Sequence, residues 1–430
     1  MKHIVRTAGT LMASLVLATQ AMAQDKPEQI DVGVFTFTSG APAAYGQPGA
    51  QGAELMVDLI NAAGGIDGVP LRATIVDEAQ GAEGVIAEYR RLAGETSYQV
   101  MIAALSSSNC LALAPVAEQM QMPTISWNCD THQLFLDQQL DYTFRPNGNT
   151  IPEFVAYVAY LLQVNPDIER VAIINPDYAF GHDAAEIVKA AFRAFKPDVE
   201  IVAELFPSLG ASSYQTEVSR LSAARPDAIF SNLWGADLEN FVRQAQPRGL
   251  LTQSQTVLAL GETILQRIDL PDGVIVGMLG DGYWLTPDAQ ANEDTVAFAE
   301  EYATRFGEYP VFPTMKMANS FMVMKAAYEA AIKANNGEWP SRDEIATALE
   351  GIETATFTGT ARLREDNDGY VDQVIGVTGP SDTYDFSVIT NMVRYDGEAL
   401  MAPLGEDPIA WIETLTPEFL ETLPEPGSYN

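Results

Sequence analysis

Three consecutive serines, Ser106, Ser107 and Ser108, lie between a predicted strand and a predicted helix, where they are suited to holding an anion. The helix is predicted to run from Asn109 to about Met120. Backbone N–H groups and hydroxyls at the start of a helix favour a carboxylate, because the unpaired donors and the helix dipole point toward it. The alternative is that the serines only cap this helix, and without further information capping is favoured.

A second set of candidates combines aromatic rings with acids and amides in loops that follow predicted strands. Aromatic faces and carboxylates suit a positively charged head group. No lysine or arginine falls in these loops, although Arg145 would add a positive charge nearby if its side chain turned inward. The alternative for each ring is ordinary packing. The candidates are Tyr45, Trp127, Asn128, Asp130, Tyr178, Phe180, Trp234, Glu262 and Asp281.

The elements that must position these residues begin with one strand–helix–strand unit. Alternating β-branched residues predict a strand over Ile30–Thr36, and apolar residues at helical spacing predict a helix from about Gln47. Gly64 and Gly65 end this helix, since glycine adopts the left-handed conformation without cost, and a second strand is predicted over Leu71–Asp77. In an open α/β sheet, ligands bind at the carboxyl ends of such strands.

The same alternation continues and predicts a fold of the α/β class with two similar halves. Each half is expected to be a doubly wound parallel sheet flanked by helices. The further predicted strands include Val100–Leu105, Thr124–Trp127, Val171–Ile174, Glu200–Leu205, Ala228–Ser231, Val257–Leu260 and Gly273–Leu279.

The opening stretch also contains two spaced motifs, S-G-x-x-A-x-Y-G at Ser39–Gly46 and G-A-x-L-x-x-D-x-I-N-A-A-G-G-I-x-G at Gly52–Gly68. These motifs resemble the start of type I periplasmic solute-binding proteins of ABC importers, of the leucine/isoleucine/valine-binding type. The resemblance implies two lobes with a ligand cleft at the hinge. It assigns residues 24–144 and 274–354 to the first lobe and residues 145–273 and 355–401 to the second, so that Gly273–Leu279 returns the chain to the first lobe. Residues 402–430 form an acidic, proline-containing C-terminal extension that the family pattern does not place.

The resemblance also implies roles for individual residues. A serine of the 106–108 loop, with Ser107 the best candidate, would contact the α-carboxylate of an amino acid, and Glu262 would face its ammonium group. Asp130 stands about where relatives have a threonine, and Phe180 replaces the tyrosine of a D-x-x-Y-G loop. We expect an amino acid of the branched-chain type or a related compound, with a cationic amine, an amide or an aromatic acid as alternatives.

Composition and the N-terminus indicate an exported protein. The formal charge is 24 − 58 = −34, and such acidity disfavours nucleic acid and anionic membranes as partners. Lys2 and Arg6 precede an apolar stretch and an A-x-A site that ends at Ala23, which predicts a cleaved signal peptide of residues 1–23. We expect a mature periplasmic monomer that starts at Gln24 and does not insert into the membrane.

Cys110 and Cys129 are the only cysteines of the chain. In an oxidising compartment an isolated pair is a candidate disulfide, and two free thiols are the alternative. His3, His132 and His182 give no metal-ligand spacing with them, so we expect neither a metal nor a cofactor.

Motifs for catalysis and for nucleotide hydrolysis are absent from the sequence. It contains no G-x-S-x-G, H-E-x-x-H or C-x-x-C, and no phosphate-binding G-x-x-x-x-G-K-[ST] loop. We therefore expect a protein that is not an enzyme. The resemblance implies that it delivers its ligand to an inner-membrane ABC permease with separate ATPase subunits. A ligand sensor for a receptor is the alternative.

Overall fold

The computed structural model describes residues 26–136 and 139–430, and the predicted signal peptide, residues 1–23, lies outside them. The first of its sheets has five parallel strands, which are β1 (Ile30–Thr36), β2 (Leu71–Asp77), β3 (Tyr98–Ile102), β4 (Thr124–Ile125) and β5 (Thr143–Phe144). They are joined by α1 (Ala43–Ala62), α2 (Gly81–Ala93) and α3 (Ser107–Met120). Their spatial order is β2-β1-β3-β4-β5.

The strand order creates a switch point in the first sheet. The chain leaves β1 toward β2 on one side and returns to β3 on the other side. β1 is buried along its whole length, because helices cover both faces of a central parallel strand. The crevice at the carboxyl ends of β1 and β3 is therefore where an open α/β sheet binds its ligand.

The second lobe begins with a helix that is buried on all sides. Its elements are α4 (Thr150–Val164), β6 (Arg170–Ile174), α5 (Ala179–Phe195), β7 (Glu200–Leu205), α6 (Gln215–Ala224), β8 (Ala228–Ser231), α7 (Gly235–Ala245), α8 (Leu250–Gln253), β9 (Gln255–Leu258) and β10 (Ile275–Gly277). α4 is apolar around most of its circumference, which is typical of a helix enclosed by other elements.

β10 belongs to the second sheet, so the prediction that Gly273–Leu279 returns the chain to the first lobe is wrong. Ile275 pairs in parallel with Val257 of β9. All three residues of β10 are buried, as a central strand requires, and the Tyr157 ring of α4 lies directly against Gly277. A short buried apolar strand carries no pattern that tells which of two sheets it joins.

The chain returns to the first lobe after β10. The elements that follow are α9 (Pro287–Ala291), α10 (Glu293–Phe306), α11 (Phe312–Ala334) and α12 (Arg342–Leu349). α11 packs closely along α1, where Thr314 Oγ1 donates to the Pro48 carbonyl at 3.2 Å. A Cβ at Gly52 would lie 2.9 Å from the Thr314 carbonyl oxygen, so this close approach needs the glycine.

A small antiparallel sheet precedes the last strands. It consists of β11 (Glu353–Ala355), β12 (Thr360–Leu363) and β13 (Gly369–Tyr370), and it is followed by β14 (Gln373–Gly379) and β15 (Val388–Tyr395). β14 and β15 are antiparallel and complete the second sheet, whose order is β15-β14-β10-β9-β8-β6-β7.

The C-terminal extension packs on the second lobe. It contains α13 (Pro408–Thr414) and α14 (Pro417–Leu420). Glu413 pairs with Arg193 of α5 at 2.6 Å, and the Phe419 ring stacks on Phe195 with centroids 6.0 Å apart. The extension that the family pattern leaves unplaced is thus part of the outer layer over α5.

Candidate ligand-binding site

One cavity between the lobes brings together seven of the residues that the sequence singles out. It is narrow: the space open to a water-sized sphere is only about 10 Å³, about that of one water molecule. Residues of the first lobe and residues of the second lobe line it, which is the arrangement expected of a cleft at the hinge. The lining consists of Tyr45, Leu105, Ser107, Asn128, Asp130, Tyr178, Phe180, Trp234 and Leu260.

Aromatic rings from both lobes form most of the wall. Tyr45, at the start of α1, meets Trp234 edge-on with centroids 5.5 Å apart, and Phe312 in the same way at 5.4 Å. Tyr178 and Phe180 lie 6.2 Å apart on the opposite lobe. The Tyr45 hydroxyl donates to Asn128 Oδ1 at 2.9 Å, which fixes its ring across the cavity.

Asp130 is the one carboxylate in the wall, and it is paired with a residue that the sequence analysis missed. Lys316 Nζ lies 3.3 Å from Asp130 Oδ1, and both side chains are 4% exposed. Burial raises the pKa of Asp130, while Lys316 and Arg145 act in the opposite direction. Lys316 is thus a cation beside the site that the sequence analysis did not identify, although it does not line the cavity. Its signal in the sequence is a lysine between Met315 and Met317 in an apolar helix.

Arg145 does turn inward, but its donors are used within the protein. Its Nε and Nη2 atoms each donate to the Asp368 carboxylate at 2.8 Å. Its Nη1 donates to the carbonyls of Cys129 and Thr131 at 2.9 and 2.5 Å. Arg145 thus ties the loop that carries Asp130 to the turn before β13.

The serine loop is held by a second residue that the sequence analysis missed. The Glu78 carboxylate accepts hydrogen bonds from the backbone N–H groups of Leu105 and Ser106 at 2.6 and 3.2 Å, and from Asn109 Nδ2 at 2.9 Å. Burial raises the pKa of Glu78 to about 7. These two N–H groups belong to the residues that directly precede α3, so Glu78 fixes the loop that leads into the helix. Ser107 lines the cavity, whereas Ser106 makes no side-chain capping bond and Ser108 is exposed.

The remaining candidates lie away from the cavity. Trp127 Nε1 donates to the Phe35 carbonyl at 2.8 Å within the core. Glu262 accepts the Phe312 N–H at 3.0 Å and so holds the first residue of α11. Asp281 lies 3.8 Å from Arg394, and burial raises its pKa to about 6 although Arg394 opposes the shift.

A disulfide joins Cys110 to Cys129, so the structure contains the bonded form of the two alternatives. It connects the first turn of α3 to the loop between Asn128 and Asp130. The two segments that carry Ser107 and Asp130 are thereby held together.

Replacing both cysteines with serine is expected to lower the free energy of unfolding by about 3 kcal/mol. The disulfide closes the loop between Cys110 and Cys129 and so restricts the conformations of the unfolded chain. Urea unfolding of the double variant, compared with the oxidised and the reduced wild type, measures the effect. The reduced wild type should match the variant, and equal stability of all three would contradict the prediction.

Comparisons with known proteins agree with the geometry of this cleft. A family model described as periplasmic binding protein matches residues 29–377. This chain belongs to the periplasmic binding protein family. Members of the family are solute-binding proteins of transport systems, so the predicted family and its two-lobed α/β fold are confirmed.

Individual relatives are distant but extend over most of the chain. The leucine-specific-binding protein of Salmonella typhimurium is 24% identical over 280 residues, which cover 65% of this chain and 73% of the relative. A solute-binding protein of an ABC transporter from Rhodopseudomonas palustris, in complex with 3,4-dihydroxybenzoic acid, has a TM-score of 0.72 at 19% identity, covering 86% and 98% of the two chains. A leucine-, isoleucine-, valine-, threonine- and alanine-binding protein from Brucella ovis has a TM-score of 0.71 at 19% identity, covering 88% and 98%.

Proposed function

We propose that this protein captures a small polar organic solute between its lobes and delivers it to an inner-membrane ABC permease with separate ATPase subunits. The observation that carries the proposal is the cavity, because residues of both lobes converge on it at the carboxyl ends of the strands. Capture involves binding without catalysis. An amino acid of the branched-chain type or a related compound is the class suggested by the relatives' names.

The surroundings of the cavity bear on the alternative ligands. One structural relative holds an aromatic acid, but no arginine or lysine lines this cavity. The Glu78 carboxyl group also lies beside the two residues that precede α3, where its ionised form would repel an anionic group. A cationic amine or an amide meets neither obstacle. A sensor that presents its ligand to a receptor would need the same cleft.

The proposed location is the periplasm, after removal of residues 1–23, and the proposed state is a monomer. The family supports this location. Among the described helices, none combines the length and the apolar character that a membrane span needs.

One side chain joins the two lobes beside the cavity. Asp183, in the first turns of α5, accepts hydrogen bonds from Thr131 Oγ1 and Gln133 Nε2, both at 2.6 Å. Thr131 and Gln133 follow β4 of the first lobe, whereas α5 belongs to the second. The bridge therefore stabilises the closed arrangement of the lobes without lining the cavity.

Asp183→Ala is expected to weaken solute binding about tenfold. Without the bridge fewer molecules are in the closed state, and the apparent affinity falls in proportion to the fraction that is closed. Titration calorimetry with the best solute of the screen described below measures the loss. Asp177→Ala is the matched control, since Asp177 precedes the same helix but pairs only with His182 on the surface. Equal affinities of both variants would remove Asp183 from the closure mechanism.

A thermal-shift screen of the refolded mature protein tests the proposed function. The panel contains aliphatic amino acids, amines, amides, quaternary ammonium compounds and aromatic acids. A solute present at 100 times its dissociation constant adds about 2.7 kcal/mol to the stability of the folded state. A dose-dependent shift with one class supports the proposal, and a panel without any shift argues against it.

A further inference from the structure

The aromatic wall of the cavity has the composition of a cation-binding cage. Tyr45, Tyr178, Phe180 and Trp234 face the same small space from two lobes. The π faces of aromatic rings carry partial negative charge, and cages of such rings bind methylated ammonium groups. The cavity's other side chains offer only two leucines, one hydroxyl, one amide and the Asp130 carboxylate.

Among the described residues around the cavity, the buried carboxyl groups of Glu78 and Glu153 have no cation as a direct partner. Arg145 is matched by Asp368 at 2.8 Å, and Lys316 is matched by Asp130 at 3.3 Å. Glu153, on the first turn of α4, is fully buried. Its Oε1 accepts the Asn149 N–H at 3.1 Å, and its Oε2 has no hydrogen-bond partner among the described residues.

The Glu153 carboxylate acts on the cavity itself. Its charge and that of Asp130 both contribute to the raised pKa of Tyr45, after the larger effect of burial. Tyr45 lines the cavity, so a solute at this place lies near both acids. Burial raises the pKa of Glu153 well above its usual value, although Lys316 and Arg145 oppose the shift, and a cation in the cavity would favour the ionised form of this group.

A carboxyl group of the protein lies beside the start of α3. Glu78 Oε1 and Oε2 accept the N–H groups of Leu105 and Ser106, the two residues that directly precede the helix. A second carboxylate at these donors would meet the first at close range, and like charges that share a buried site disfavour each other. The acidic groups beside the cleft, Asp130 and Glu78, therefore favour a cation over an anion.

We infer that the solute is a small organic cation, with an alkylammonium or quaternary ammonium group held by the ring cage of Tyr45, Tyr178, Phe180 and Trp234 beside Asp130. This inference rests on the proposed solute-binding function and narrows its ligand class. A carboxylate on the solute is not required for binding. The cage holds the charged group by its methyl or methylene surface, with the Asp130 carboxyl group in the same wall.

Two matched pairs of probes separate the charge from the shape and from the carboxylate. Choline and 3,3-dimethylbutan-1-ol have the same shape, but the alcohol has carbon in place of the charged nitrogen. Leucine and isopentylamine differ only by the α-carboxylate. In titration calorimetry on the refolded mature protein, at least one cation should bind at least tenfold more tightly than the neutral alcohol, and isopentylamine should bind at least as tightly as leucine.

Variants of the cage test the assigned residues. Trp234→Leu should weaken binding of the cation at least tenfold. Trp234→Phe should weaken it less, because phenylalanine retains an aromatic face for the cation. Asp130→Asn keeps the shape of the side chain and removes its charge. It should therefore weaken binding of the cations and leave binding of the neutral alcohol unchanged. Asp177→Asn, outside the cavity, is the control, and circular dichroism checks that each variant is folded.

The outcomes distinguish this inference from the function on which it rests. Binding of leucine without isopentylamine, or of benzoate without either cation, would overturn the cation assignment and leave the solute-binding function in place. A cation that binds Trp234→Leu as tightly as the wild type would also overturn it. Absence of binding by every probe would count against both.

Discussion

Replacing Arg145 with methionine is expected to lower the free energy of unfolding by about 3–5 kcal/mol, because removal of one partner leaves a buried charge without compensation. The guanidinium is fully buried, and it makes two hydrogen bonds to Asp368 at 2.8 Å. It also holds the carbonyls of Cys129 and Thr131. Urea unfolding monitored by tryptophan fluorescence measures the loss.

The double variant Arg145→Met/Asp368→Asn is the control for this prediction. Removal of both charges abolishes the unpaired carboxylate, so the double variant should regain part of the stability lost by Arg145→Met. It should not regain all of it, since the two carbonyls still lack a donor. A loss of less than about 1 kcal/mol in the single variant would match the value of an exposed salt bridge. It would contradict the role of Arg145 in holding the loop that carries Asp130.

Glu262→Gln is expected to stabilise the protein at alkaline pH by up to about 5 kcal/mol, at 1.36 kcal/mol for each unit of pKa. Burial raises the pKa of Glu262 from 4.5 to about 8, while the Phe312 N–H and Arg267 oppose the shift. Between these values the folded state holds a proton that the unfolded state has released. The contribution of this group to stability is therefore most favourable near pH 4.5 and declines as the pH rises toward 8.

The measurement is the urea midpoint of wild type and variant from pH 5 to pH 9. Glutamine keeps an acceptor for the Phe312 N–H but cannot ionise, so the two proteins should converge at acidic pH and diverge as the pH rises. Glu200→Gln, on the exposed start of β7, should follow the wild type throughout. A constant difference at all pH values would show that Glu262 does not titrate as the structure indicates.

The cavity residues could be predicted because their position depends on local rules. A residue that follows a parallel strand lies at the carboxyl edge of the sheet, and Asn128, Asp130, Tyr178 and Trp234 all follow strands at that edge. The same rule predicted that Asp281 and Glu262 would also reach the ligand site, but neither residue lines the cavity. Both lie beyond strands of the second sheet, but their side chains turn to partners from other parts of the chain.

The missed residues depend on contacts between distant segments. Lys316 reaches Asp130 from a helix 186 positions away, and this contact exists only because α11 packs on α1. Glu78 reaches the serine loop from the end of β2, 27 positions before Leu105. The periodicity of a single segment does not predict such a contact between distant segments. It also does not predict which of the two sheets β10 joins.

The most direct test of the central claim, a solute held between two lobes that close, is the distance between spin labels on the two lobes. Both native cysteines are in the disulfide, so labels attach only to introduced cysteines at the exposed positions Glu83 of α2 and Thr216 of α6. With the solute that gives the largest thermal shift, the account predicts a single, shorter and narrower distance than without it. An unchanged distance distribution with the solute bound would contradict closure around the ligand.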